Sequence, residues 1–287
     1  MEVLDIIKGQ AARTDQIFMA VIFVTFILGE MVTSAYRSTK LYNTKDTLTN
    51  IFLGVLTFGA IASVKGFVFI LFNFAYDHRI FEFSKDTWYL VALYWAVLIL
   101  LNDFMFYVFH WAAHKSRFFW ALHVAHHNSK EYNFTVAIRG LFLLQVFKFP
   151  LWAFMPWLGF DPIDVFFTDS IVYFYQFWVH TKLIGKLGIL DEFMQTPVNH
   201  RVHHSEDPEL LNKNLGGIFI FWDRMFGTFI KTDKEIVFGI PNNIDTENPW
   251  VVAMHEFFVI WRELKQPGLS FKERFNIIFG DLPFHKY

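Results

Sequence analysis

Four or five apolar stretches in a chain of 287 residues constrain this fold more than any other feature, because each approaches the roughly 20 residues that a helix needs to cross a bilayer. The first runs from about Ile17 to Val32 with Glu30 near its end. The second runs from about Ile51 to Tyr76 around Lys65, and the third from about Trp88 to Phe109 with Asp103 near its end. Two more, about Leu141–Leu158 with Lys148, Pro150 and Pro156, and about Ile163–Val179, flank Gly159-Phe160-Asp161-Pro162. That tetrapeptide is a turn signal and makes the two runs a hairpin. Hydrocarbon offers the backbone no hydrogen-bond partner, so such runs are helices. With 54% hydrophobic residues, too little polar chain is left to bury them all in a water-soluble core. The expected fold is therefore an all-α integral membrane protein with about four to five transmembrane helices. Lys65, Asp103 and Lys148 are costly in lipid and belong at the interface or inside the protein.

Nine of the 12 histidines fall into one pattern: His110-x3-His114, His123-x2-His126-His127, a lone His180, and His200-x2-His203-His204. Residues at i, i+3 and i+4 of a helix project from one face, so each cluster aims several ring nitrogens at one point. The membrane topology brings the clusters together. If the third helix ends at the cytoplasmic face, His110 and His114 lie there, as does the loop with His123, His126 and His127. The Leu141–Val179 hairpin enters and returns, placing His180 on the same face, and the rest of the chain stays there. Arg37, Lys40 and Lys45 before the second helix and Lys115, Arg117 and Lys130 after the third agree with a cytoplasmic side. The expectation is a histidine-rich cytoplasmic cap on a multi-pass membrane protein.

Imidazole is the commonest neutral metal ligand. A single tetrahedral ion needs four ligands, so eight or nine histidines argue for two ions. Neutral nitrogen donors suit iron, which activates O2 when coordination positions stay open. The expected cofactors are two iron ions, with O2 as co-substrate. The chain has no cysteine, which excludes thiolate ligands and cysteine-held iron–sulfur clusters. A net charge of −2 gives no basic field for nucleic acid. No dinucleotide fingerprint, CxxC or haem-attachment motif is present, so electrons come from an external reductase or carrier.

Met1–Gln16 lacks the layout of a cleaved signal peptide. Residues 1–87 read as membrane anchor helices, about 88–230 as the catalytic core, and 231–287 as a C-terminal interfacial or cap segment, all within one domain. In the last segment about Pro249–Lys265 reads as an amphipathic helix, followed by a basic-apolar stretch at Phe271–Phe279. His78, His255 and His285 stand outside the pattern and read as surface or interface residues.

The order of the histidine motifs resembles that of the fatty acid hydroxylase/sterol desaturase superfamily of membrane di-iron enzymes. Three flanking segments carry the resemblance further: Tyr175-Gln176-Phe177-Trp178-Val179-His180-Thr181, Thr196 to His204, and Asn214-Leu215-Gly216-Gly217 with Trp222 to Phe229. It covers about Phe104–Phe229 and is closest to the alkylglycerol monooxygenase-like bacterial branch. The resemblance implies O2-dependent hydroxylation, or removal of two hydrogens, at an unactivated C–H bond of a membrane lipid. Two positions depart from the alkylglycerol pattern: Lys115 after H-x3-H and Lys182 after the lone histidine, where that branch is acidic. An ether-lipid substrate and a pterin donor are therefore not carried over.

Ligating imidazoles donate their other N–H to carboxylates or carbonyls. Asp223 is the leading partner, with Asp103, Glu131 and Glu206 behind it. Asn133 and Asn214 are candidates to orient ligands or to cap helices. Phe106, Tyr175, Trp178 and Trp222 are candidates to line an apolar substrate channel. The rival reading is a membrane metal transporter using the same histidines, which would place ligands at the bilayer midplane on several helices.

Overall fold

The computed structural model describes residues 3–241 and 243–282, with side chains described from Phe18 onward. His285 and the side chains of Met1–Gln16 lie outside the described residues. Among the described residues the chain forms helices and isolated bridges, without a strand. Three helices are long and apolar enough to cross a membrane: the Phe18–Arg37 part of α1 (Val3–Arg37), α2 (Thr44–Asp77) and α3 (Trp88–Ala113). At 1.5 Å per residue α2 extends about 51 Å and α3 about 39 Å. Val24, Leu28, Val55, Phe67, Ile70 and Leu93 stay exposed on these helices and form an apolar outer surface. Asn43 starts α2 by accepting hydrogen bonds from the amides of Lys45 and Asp46.

The fourth and fifth apolar runs form shorter helices: α6 (Leu144–Trp152), α7 (Phe154–Leu158) and α8 (Pro162–Trp178). Pro156 has no N–H to give the Trp152 carbonyl, so the fourth run divides at Ala153. Gly159 then ends α7 at a φ of 117°, where a Cβ would run into the carbonyl of Phe81. Asp161 starts α8 by accepting from the Ile163 amide. The hairpin is buried against α2 and α3 through Val68, Phe72, Leu98, Trp152, Met155 and Val165. Of the polar residues expected inside or at the interface, Lys148 is buried and pairs with Asp169 of α8 at 2.5 Å, and Asp103 is fully buried.

The cap consists of α4 (Arg117–His127), α5 (Phe134–Ala137), α9 (Pro197–His203) and α10 (Phe221–Phe226), with loops between them. The C-terminal helices α11 (Pro249–Leu264) and α12 (Phe271–Phe279) fall where the spacing predicts. α11 packs on α4, where buried Arg117 bridges Glu256 at 2.7 Å and also pairs with Glu263.

Candidate metal centre

The histidines occupy the parts of the fold where several helices end together. His110 lies in the last turn of α3 and His114 caps it. His123, His126 and His127 are on α4, His180 follows α8 by two residues, and His200 and His203 are on α9 with His204 as its cap. All nine come together in two groups: His110, His114, His123, His127 and His203, and His126, His180, His200 and His204. Within each group the nitrogens lie within 4.8 Å of one another. The duplicated H-x2-H-H motif explains the division. The outer pair of each motif, at i and i+4, points to one group, and the middle histidine points to the other. Thus α4 gives two nitrogens to the first group and one to the second, and α9 does the reverse.

The ring nitrogens show what can fit between them. His126 and His180 hold their Nδ1 atoms against the carbonyls of Arg139 at 3.1 Å and Gln176 at 2.6 Å. His110 and His203 do so against Leu215 and Lys213, both at 2.8 Å. A neutral imidazole has one N–H, and a carbonyl accepts it, so each Nε2 of these four presents a lone pair. Yet His126 Nε2 and His180 Nε2 face each other at 3.1 Å. Two lone pairs this close repel, and a cation between them removes the repulsion. The donor set therefore fits metal ions. Protonation does not offer the same relief. Burial, helped by neighbouring imidazoles, pushes His123, His127, His200, His203 and His204 well below the usual imidazole range, and burial pushes His126 to about 4.

The expected carboxylate partners act at one remove. Asp223 is fully buried and accepts from the amides of Leu215 at 2.7 Å and Gly216 at 2.8 Å, and from Thr228 Oγ1 at 2.7 Å. It thereby fixes the loop whose Leu215 carbonyl holds His110. Desolvation raises its pKa, and these hydrogen bonds oppose the rise. Asp103 accepts from the amides of Ile218 and Phe219 and from Trp222 Nε1, tying α3 to the same loop. A Cβ at Gly216 would meet Asp223 Oδ2 at 2.8 Å, and one at Gly217 would collide with Asp103. Both carboxylates approach because these residues are glycine. Asn214, at a φ of 54°, binds the carbonyls of Asn199 and Ile230, both at 3.0 Å. Asn133 caps α5 by accepting from the Thr135 amide at 3.0 Å. Glu131 lies beside Lys182, and Glu206 lines an open polar groove with Lys130 and Lys182. His78 binds the Phe74 carbonyl at 2.8 Å, near the end of α2, and half-buried His255 sits on α11.

Arg139 is a residue that sequence reasoning missed. It is buried, and its guanidinium binds Asp46 at 2.7 Å, Asn50 at 2.8 Å and the Ala125 carbonyl at 2.6 Å, and also meets Asn128. Its own carbonyl holds His126. One side chain thus ties α2 and α4 to the second histidine group.

A cavity of about 170 Å³ ends on His110, His123, His126, His180 and His200. Its other walls are mainly apolar, among them Phe23, Phe58, Ile61, Leu122 and Leu144. Of the expected channel residues, Phe106 lines it. Tyr175 and Trp178 pack on each other with ring centres 5.5 Å apart, and Trp222 packs on Phe104 at 4.7 Å. The wall that α8 supplies is instead Tyr173, Gln176 and Phe177. Helical spacing gives the reason: positions three, four and seven before His180 share its face, whereas those two and five before it do not.

The fatty acid hydroxylase family model matches residues 95–228. The alkylglycerol monooxygenase of Homo sapiens is 32% identical over 274 residues, covering 90% of this chain and 57% of that protein. The enzyme of the same name from Xenopus tropicalis is 32% identical over 261 residues, covering 90% of the chain and 56% of that protein. Ornithine lipid hydroxylase OlsE of Rhizobium tropici is 28% identical over 149 residues, covering 52% of the chain and 45% of that protein. The chain thus spans little more than half the length of the two alkylglycerol monooxygenases and less than half that of the ornithine lipid hydroxylase. No solved structure matches it. The segment that resembles the fatty acid hydroxylase family holds all nine converging histidines together with Asp103 and Asp223.

Proposed function

We propose that the chain is an O2-dependent di-iron oxidoreductase that hydroxylates an unactivated C–H bond of a membrane lipid. The observation that carries this reading is the meeting of two adjacent imidazole groups, of five and four residues, at the wall of one mainly apolar cavity. His110, His114, His123, His127 and His203 would hold one iron, and His126, His180, His200 and His204 the other. Bound iron supplies O2 activation at open coordination positions. The protein's own part is to keep the Nε2 lone pairs turned inward through the carbonyls at Nδ1, and to exclude water. It also presents an alkyl chain to the site through a wall of Phe106, Leu122 and Phe177. The names of the relatives favour hydroxylation over desaturation. The lipid reaches the site laterally from the bilayer, the chain crosses the membrane several times, and the histidines face the cytoplasm. Electrons are delivered by an external reductase or carrier. The transporter reading finds no support in the placement of the ligands, which lie at helix ends and in the cap.

The test is turnover by the purified full chain with iron, a reducing system and a membrane lipid extract. The expected result is O2 consumption matched by a lipid product that has gained one oxygen atom. Iron-loaded protein that consumes no O2, or that moves iron across a vesicle wall instead, would overturn the proposal.

A further inference from the structure

The cavity at the histidines has a neighbour. A second cavity of about 90 Å³ continues between α1, α2, α6 and α8, bounded by Lys65, Phe166 and Asp169. Phe23, Phe58, Ile61, Gln145 of α6 and Tyr173 of α8 belong to the walls of both cavities, and the two polar residues among them are joined by a hydrogen bond of 2.5 Å from Gln145 Nε2 to Tyr173 Oη. Gln145 is fully buried, and its Oε1 has no hydrogen-bond partner. An amide oxygen left unpaired among apolar walls is costly, and a hydrophobic side chain of the same length would avoid that cost. Packing alone therefore does not explain a glutamine here. The Lys148 ammonium, held by Asp169, lies 4.3 Å from the centre of the Tyr173 ring. Tyr173 precedes His180 by two helical turns, about 10 Å along α8.

We propose that the Gln145–Tyr173 hydrogen bond is a barrier dividing one alkyl-binding channel into two chambers, and that it sets the length of chain that fits against the histidines. The inference rests on the lipid-oxidising reading for its purpose, but the barrier can be tested without turnover. With the bond in place, an alkyl chain whose reacting carbon lies at the histidines ends at Gln145. Removing either partner joins the chambers and admits a longer chain.

The experiment uses the full chain in detergent and a series of n-alkanes from octane to octadecane. Binding is read as thermal stabilisation, since a ligand that binds only the folded state raises the melting temperature. In the wild type, stabilisation should grow with each added carbon and then fall once the chain outgrows the chamber. In Gln145→Ala and in Tyr173→Ala that break should move to alkanes several carbons longer. Affinity for the longest alkane that wild type rejects should rise roughly tenfold or more, at about 0.8 kcal/mol per buried methylene and 1.4 kcal/mol per tenfold. Gln145→Met, which keeps the length and bulk of the side chain but cannot donate to Tyr173, should move the break in the same direction, and the melting temperatures of the ligand-free variants serve as the control for folding. A break at the same alkane in wild type and in both alanine variants would overturn the barrier. A moved break in a protein that oxidises no lipid would keep the barrier and sink the oxidase reading. Turnover with an unmoved break would do the reverse.

Discussion

At the scale of single residues, the site was legible wherever chemistry dictates spacing. Ligands on one helix must recur at three and four residues, and that pattern singles out His123, His126, His127, His200, His203 and His204 without knowledge of the fold. What holds the other ring nitrogen was not legible. At four of the nine histidines it is a backbone carbonyl, that of Leu215, Arg139, Gln176 or Lys213, and every residue type has one. Asp223 stood out in the sequence, but its role is to clamp the Leu215–Gly216 amides. Asp223→Asn can accept at one oxygen only, so the loop loosens and His110 loses its fixed partner. Such outer partners typically change metal affinity by roughly 10- to 100-fold. A chelator titration of the metal-loaded variant should show a loss of that order, with the protein still inserted in membranes. Unchanged affinity would mean that the loop needs no clamp. The channel residues show a second limit. Tyr175 and Trp178 are near His180 in sequence, but helical phase gives its face to Tyr173, Gln176 and Phe177.

At the scale of elements, the three long helices and the turn at Gly159–Pro162 could be read from hydropathy and turn chemistry alone. The division of the fourth run depends on Pro156, whose missing donor is visible in sequence. Whether such a run bends, breaks or continues depends on what it packs against. The Arg139 clamp was invisible because its partners, Asp46 and Asn50, lie about 90 residues earlier, on α2. Removing one partner of a buried ion pair leaves an uncompensated charge, at a cost of about 3–5 kcal/mol. Asp46→Ala should lower the melting temperature by several degrees and deplete the four-histidine group first, because Arg139 also positions His126. A variant with wild-type melting and metal content would show that α2 does not organise the site. The same clamp predicts that residues 88–287 alone will not hold metal, although residues 1–87 contribute none of the nine histidines.

At the scale of the whole molecule, the account requires one face for the site and the opposite face for the loop between α2 and α3. The chain has no cysteine, so a single introduced cysteine reports its own side of the membrane. Cysteines at exposed Lys130 and Asp233 should react only from the cytoplasmic side, and one at exposed Asp86 only from the other. Labelling of Asp86→Cys and Lys130→Cys from the same side would mean that α3 does not span. The convergence of the histidines followed in the sequence from counting crossings, and it does not depend on the fate of the hairpin. Whether α6–α8 cross or turn back within the bilayer, they return His180 to the side from which they left.

The central claim is that nine imidazoles form two adjacent iron sites of unequal membership. Iron per chain, measured in the purified full-length protein and in His126→Ala, tests it most directly. His126 belongs to the group of four, while the group of five remains complete without it. The account predicts two irons per chain in the wild type, one in the variant, and no lipid oxidation by the variant. One iron per chain in the wild type, or an iron count that His126→Ala leaves unchanged, would contradict it.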